Sequence, residues 1–332
     1  MVAPIIAFFN NKGGVGKTSL VFHLSWMYAD LGLRVLAADL DPQANLTAAF
    51  LEDEQLEKFW QDGEHRNTVY GSIEPLLRGT GDIVEKPYVE RIDERIHLLL
   101  GDLALSRFED ELSQQWPQCL DKKERAFRVI SAFWRVMERI KHEQNIEIVL
   151  VDLGPNLGAI NRAILVASDY LAIPLVPDLF SLQGLKNLGP SIMEWRAGWA
   201  DRRGRNPAKD LSLPVGRMHP IGYVIMQHAE KLGRPVKAYE RWAKRIPVVY
   251  SEEVLGKKLE LGWVGNQMGL IRHYRSLMPM SQEAHKPIFH LRPADGAIGS
   301  LQNAVRDAKD NFKQLAVEIA RRCNITIPNN LN

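Results

Sequence analysis

The sequence predicts an α/β fold, a mostly parallel twisted sheet with helices on both faces, and three observations predict it. Six short apolar runs alternate with helical patterns along the chain, the rhythm of parallel strands joined by crossover helices. A glycine-rich loop follows the first run and opens a helix. Two of the runs end in carboxylates, placing acids at the strand edge where an open parallel sheet binds its ligands.

The first strand is Ile5–Phe9, and the segment Asn10-Asn11-Lys12-Gly13-Gly14-Val15-Gly16-Lys17-Thr18-Ser19 follows it. Leu20, Leu24, Met27, Tyr28 and Leu31 then recur at helical spacing, and Gly32 ends that helix. Arg34–Ala38 is the second strand, and residues 51–81 form a charged excursion of helices and loops. Arg95–Leu100 is a strand, Leu103–Leu112 and Ala126–Lys141 are two helices, and Ile146–Val151 is the next strand. Tyr170–Val176 and Pro220–Met226 complete the apolar runs. Asp201–Pro214 carries turn formers and charge and reads as an exposed loop. Ser300–Arg322 is a closing amphipathic helix with Ser300 as its N-cap, and Asn324–Asn332 is a frayed polar tail. The chain thus divides into one domain over residues 1–322, with insertions around 51–81, 103–141 and 195–217, and a polar tail over 323–332.

Composition narrows the classes. A chain of 332 residues, 45% apolar and 25% charged, can bury one large core or two modest ones. The net charge of +2 is too mild to announce a polyanion partner, so a nucleic-acid case rests on local clusters. The two cysteines, Cys119 and Cys323, lie far apart, which argues against a disulfide scaffold or a cysteine-ligated cluster and fits a reducing cytoplasm. No signal peptide and no apolar run of about 18 residues is visible.

The glycine loop carries the chemistry. Gly13, Gly14 and Gly16 let the backbone curl until the N–H groups of residues 13–19, Val15 and Ser19 included, point at phosphate oxygens. Lys17 adds a cation, Thr18 offers its hydroxyl to Mg²⁺, and the helix N-terminus contributes its dipole. The general phosphate-loop pattern wants glycine at position 11; here Asn11 stands there and a second lysine, Lys12, follows. Asp39 and Asp41, in Ala38-Asp39-Leu40-Asp41-Pro42-Gln43, sit at the end of the second strand beside this loop. A carboxylate there polarises an attacking water or holds Mg²⁺ through water. Ile148-Val149-Leu150-Val151-Asp152 is an apolar strand ending in a second magnesium anchor.

Lys12-Gly13-Gly14-Val15-Gly16-Lys17-Thr18 resembles the deviant Walker A motif of the ParA/MinD family of ATPases, and Asp39–Asn45 matches that family's D-x-D-P-Q-x-N in full. The family's D-x-P-P-S-L-G stretch is Asp152-Leu153-Gly154-Pro155-Asn156-Leu157-Gly158 here, losing one proline and the serine. Pro174, Pro177, Ser181 and Gly184 fit its I-P-x-x-P-x-x-x-S-x-x-G segment, and Ser281–Ile288 loosely fits S-E-A…G-K-P-I.

The resemblance, closest to ParA/Soj-type partition ATPases, implies a P-loop ATPase using ATP and Mg²⁺. Lys17 and the Gly13–Thr18 backbone hold the phosphates, Thr18 and Asp152 organise the metal with Asp39 as a further water-mediated candidate, and Asp41 orients the hydrolytic water. Lys12 reaches across a two-fold interface to the partner's phosphates, so ATP is linked to a homodimer. Met226 and Gln227, after the late strand, are the residues implied for the adenine pocket.

Two basic segments could face a polyanion, one holding Arg202, Arg203 and Arg205, the other Lys231, Arg234, Lys237, Arg241, Lys244 and Arg245; Arg272 and Arg275 form a third small group. With no base-reading motif, these imply non-specific double-stranded DNA as partner, gripped through phosphates. The resemblance adds a ParB-like centromere-binding adaptor, plasmid or chromosome partition, and a cytoplasmic, nucleoid-associated location. Alternatives are a relative that positions a protein assembly, or a MinD-like membrane-cycling regulator. The tail supplies no amphipathic membrane anchor for the second.

Overall fold

In a computed structural model, which describes residues 3–61, 63, 65–226, 236–258 and 265–328, eight strands form one sheet. The strands are β1 (Ile5–Phe8), β2 (Val35–Asp39), β3 (Glu90–Arg91), β4 (Ile96–Leu99), β5 (Ile148–Asp152), β6 (Tyr170–Leu175), β7 (His219–Met226) and β8 (Gln267–Ile271), in the spatial order β3-β4-β2-β5-β1-β6-β7-β8. Among the described strands only β3, at one edge, runs antiparallel to its neighbour. All six strands read from the sequence are present. The short β3 and the edge strand β8, Gln267-Met268-Gly269-Leu270-Ile271, are additions that no apolar run announced.

Helices cover both faces. On one side pack α1 (Lys17–Asp30), α2 (Asn45–Phe50), α3 (Asp53–Phe59) and, from the far end of the chain, α12 (Leu277–Glu283) and α13 (Leu301–Arg322). The other face holds α4 (Val69–Arg78), α5 (Phe108–Gln118), α6 (Glu124–Ile130), α7 (Ala132–Glu143), α8 (Ala159–Ala167), α9 (Leu179–Gly204) and α11 (Ile246–Val249), with α10 (Val236–Ala243) preceding the last. Strand residues alternate between these layers: Ile5 and Ala7 belong to one core, Ile6 and Phe8 to the other.

Several boundaries depart from the sequence reading, each for a local reason. The first helix starts at Lys17 rather than Leu20, because Gly16 adopts a left-handed φ of 86° that launches it directly from the loop. The helix expected at Leu103–Leu112 is a 3-10 turn followed by α5, and Ala126–Lys141 is broken at Ser131, whose hydroxyl bonds back to Phe127 O at 2.6 Å. The loop expected from Asp201 begins only after Gly204, where α9 ends; Trp199 then ties the strap back by donating to Pro214 O at 2.9 Å. Ser300 precedes α13 but makes no side-chain cap bond. The start of the polar tail is not frayed: Cys323 is buried, Ile325 and Ile327 pack on the core, and Pro328 lies against Gly32. Residues 329–332 of that tail lie outside the described residues.

Candidate functional site

The parallel sheet brings the carboxyl ends of β1, β2, β5 and β6 side by side, and the loop after β1 lies across them. Gly14 and Gly16 both have positive φ, 68° and 86°, so the curl requires glycine at these two positions. The side-chain amide of Asn10 anchors the loop's base by donating to Pro174 O at 2.8 Å, while its oxygen accepts from Lys12 N at 3.0 Å. From the other side α9 presses on the loop: a Cβ at Gly184 would stand 2.6 Å from Asn11 Oδ1, so that helix approaches only because residue 184 is glycine.

Lys17 is buried, and among the described residues its ammonium bonds only backbone carbonyls, Asn10 O at 3.3 Å and Lys12 O at 3.4 Å. Burial pulls its pKa below the usual lysine value, opposed by the charges of Asp152 and Asp41. Thr18 donates to Asp152 Oδ2 at 2.6 Å. Asp152 is fully buried, its Oδ1 has no protein partner among the described residues, and burial followed by repulsion from Asp39 raises its pKa to about 8. A buried carboxylate oxygen with no partner beside a threonine hydroxyl, a free-curling loop and a lysine held only by carbonyls is a donor set suited to a magnesium-bound polyphosphate. Met226, at the end of β7, closes over the loop; a Cβ at Gly16 would meet its Cε at 2.8 Å. Gln227, its companion in the adenine expectation, lies outside the described residues.

The two acids at the end of β2 have different surroundings. Asp41 is buried at the mouth and accepts from Gln43 N at 3.0 Å. Gly154 lies against it, where a Cβ would stand 3.2 Å from Asp41 Oδ1. Gly154, where the resembled motif has proline, thus packs without a side chain against this carboxylate. Asp39 is fully buried, with Oδ2 accepting from both the backbone N–H and the hydroxyl of Thr47 at 2.7 Å. Burial lifts its pKa to about 7 against those bonds. Its Oδ2 is committed to Thr47 at the start of α2, while its Oδ1 has no protein partner among the described residues, so the water-mediated metal role expected of Asp39 rests on that second oxygen. Asn156, where the family has serine, folds its loop back by accepting from Gly158 N at 2.9 Å and from Asn161 Nδ2 at 3.0 Å.

Lys12 stands at the lip. Its ammonium pairs with Asp178, the residue that caps α9, and lies 5.9 Å from the centroid of the Phe180 ring. The sequence singled out Lys12 but neither Asp178 nor Phe180. Glu109 on α5 was also missed; it accepts from the backbone N–H groups of Ala159 and Ile160, capping α8 immediately after the Asp152 loop. No local signal marks Glu109, whose partners lie fifty residues away.

The cations proposed for DNA are dispersed. Arg202 is used internally, with its guanidinium 4.3 Å from the Trp116 ring and donating to Trp116 O at 2.8 Å. Arg205 pairs with Asp201 at 2.9 Å. Arg203, Arg272 and Arg275 are exposed. Arg241 and Arg245 flank Trp242 at 5.1 and 5.3 Å, with exposed Lys244 beside them. Lys231, Arg234 and the side chain of Lys237 lie outside the described residues. A cleft of about 570 Å³ at the opposite, N-terminal end of β7 gathers His219, Lys257, Lys258, Arg321 and Arg322, and the adjacent Lys257-Lys258 pair was its sequence signal.

Comparison with known proteins agrees with this geometry. A family model described as an AAA domain matches residues 3–199. The chain is 28% identical over 187 residues to the sporulation initiation inhibitor protein Soj of Bacillus subtilis, covering 56% of this chain and 64% of that protein. It is 28% identical over 188 residues to the chromosome partitioning protein ParA of Caulobacter vibrioides, covering 57% and 61%. In both alignments the chain spans less than two thirds of the relative's length. Among solved structures, a putative plasmid partition protein of Borrelia burgdorferi bound to AMPPNP is similar in fold, with a TM-score of 0.60 at 18% identity over 97% of this chain and 100% of that one. Among the described residues no helix is long and apolar enough to cross a membrane.

Proposed function

The chain belongs to the AAA-domain family whose members here include ParA- and Soj-type ATPases, and from that premise we propose that it is a magnesium-dependent ATPase that closes into an ATP-sandwich homodimer, grips double-stranded DNA without sequence preference and drives partition of a DNA cargo. The observation that carries the reading is one cluster: Lys17, Thr18, Asp152 and Asp41 gathered at the loop, with Lys12 at its lip.

In this reading the residues divide the work. The backbone N–H groups of Gly13–Ser19 and the ammonium of Lys17 bind the phosphates, and Thr18 with Asp152 holds the magnesium, which supplies charge neutralisation of the transferring phosphoryl group. Asp41 positions the attacking water, and Met226 walls the base. Lys12 completes the site of a second copy, so the full charge complement exists only in the dimer. DNA contact falls to exposed Arg241, Lys244 and Arg245, with Arg203, Arg272 and Arg275 as further phosphate contacts. A ParB-like adaptor stimulates hydrolysis and resets the cycle.

DNA retention measured with ATP, ADP and no nucleotide across a salt series tests partner and switch together. Retention with ATP alone, falling steeply as salt rises, is the expected result. Replacing Arg241, Lys244 and Arg245 by Glu is expected to abolish retention and spare dimerisation. Equal retention in all three nucleotide states overturns the reading.

A further inference from the structure

Asp178 carries two loads. Its Oδ1 accepts from Ser181 N at 2.8 Å, capping the 26-residue helix α9, and its Oδ2 takes the Lys12 ammonium. Burial alone would raise this carboxyl, but the bond from Lys12 and then that from Ser181 hold it below the usual carboxylate range. Both side chains sit at the surface of the lip, 27% and 22% exposed. The next two residues, Leu179 and Phe180, are 53% and 71% exposed, an apolar pair beside the only lysine of the loop that faces outward. The loop fixes where Lys12 starts, through its own N–H to Asn10 and its carbonyl to Lys17.

We propose that Asp178 is the positioning residue of Lys12: it holds the ammonium in cis at the lip and sets how much negative charge a second copy must present before Lys12 transfers to it. The inference rests on the sandwich reading of the site. Asp178 and a partner's phosphates compete for the Lys12 ammonium, because moving it towards the second anion weakens its bond to the first. A bound triphosphate presents more charge than a diphosphate, so competition against a fixed carboxylate separates the two nucleotides. When Lys12 leaves, Asp178 is not stranded: it keeps Ser181 N and stays open to water. Leu179 and Phe180, carried on the same helix turn, are the apolar surface that the arriving copy covers.

The substitution Asp178→Asn isolates the charge, since Asn caps helices as well as Asp does. AMPPNP titration followed by sedimentation reads the midpoint of dimerisation without turnover. The expected result is a midpoint about two- to five-fold lower than in the unsubstituted chain, the scale of a part-exposed ion pair, together with a dimer detectable on ADP. In a Lys12→Ala background the same substitution is expected to leave the midpoint unchanged. An Asp178→Asn midpoint equal to or above the original overturns the proposal, and Asp178→Ser, a second capping residue, replaces it if the Asn variant fails to fold. Thermal unfolding of the nucleotide-free chain separates the two ideas. Non-additive Lys12→Ala and Asp178→Asn effects in a chain that stays monomeric at saturating AMPPNP overturn the sandwich and the role built on it, while leaving the pair; a dimer with an unshifted midpoint overturns the positioning role alone.

Discussion

Single residues in this fold are pushed far from their solution chemistry by burial, and His23 shows it away from the site. Its ring is stacked 4.7 Å from Phe312 at 10°, Nδ1 donates to Ser19 O at 2.7 Å, and Nε2 is buried without a partner among the described residues. Burial is the main cause that drops its pKa from 6.5 to about 4. The unfolded imidazole takes its proton near pH 6.5 and the folded one only near 4, so within that window the unfolded chain binds the extra proton. Stability therefore falls as pH falls from 6.5 towards 4, by a total on the order of 3 kcal/mol, and is unaffected by this group above 6.5. Urea unfolding of His23→Phe is expected to show a smaller loss between pH 6.5 and 4.5 than the unsubstituted chain; parallel losses would refute the assignment. The same scale explains what the sequence made legible. Lys12, Lys17 and Thr18 were readable as one group because they stand in one contiguous loop. The surroundings of Asp39 were not legible because its partner, Thr47, lies a loop and a turn away, and Gly101 from a third segment closes over it.

Elements were legible where they repeat a period and illegible where another element completes them. The strands β1, β2 and β5 are continuous apolar runs since both faces are covered, whereas β8 lies at the sheet edge, half exposed, with Gly269 in its middle against Leu315 of α13. Helix α8 is a further case: Gly158 supplies no side-chain cap, and the cap comes instead from Glu109 on α5. A carboxylate at this helix start also complements the dipole. Glu109→Ala is expected to cost about 1–2 kcal/mol of unfolding free energy in urea melts, with hydrogen exchange rising first at Ala159 and Ile160. Because α8 begins where the Asp152 loop ends, faster exchange should spread into residues 154–158; protection unchanged there would show that the cap and the loop are independent.

At the scale of the molecule, the sheet concentrates unfavourable charge where its ligand is expected and tolerates it because two large cores surround it. Asp39 and Asp152 are register partners on β2 and β5, both fully buried, and each retains an oxygen without a protein partner among the described residues. Such an arrangement costs folding free energy in the empty chain and is offset when a cation and polyphosphate arrive. Replacing Asp152 with Asn keeps the shape and an acceptor for Thr18 but removes the charge. The nucleotide-free variant is expected to be more stable by on the order of 1–2 kcal/mol, seen as a melting temperature a few degrees higher. Magnesium and AMPPNP, which at a hundred-fold excess over Kd stabilise a binding-competent chain by about 2.7 kcal/mol, should then shift the variant far less than the original. Chelating the magnesium should shrink the original's shift towards the variant's. Equal nucleotide shifts in the two proteins would mean that Asp152 is a structural acid of the core, and the metal would have to be held from another part of the loop.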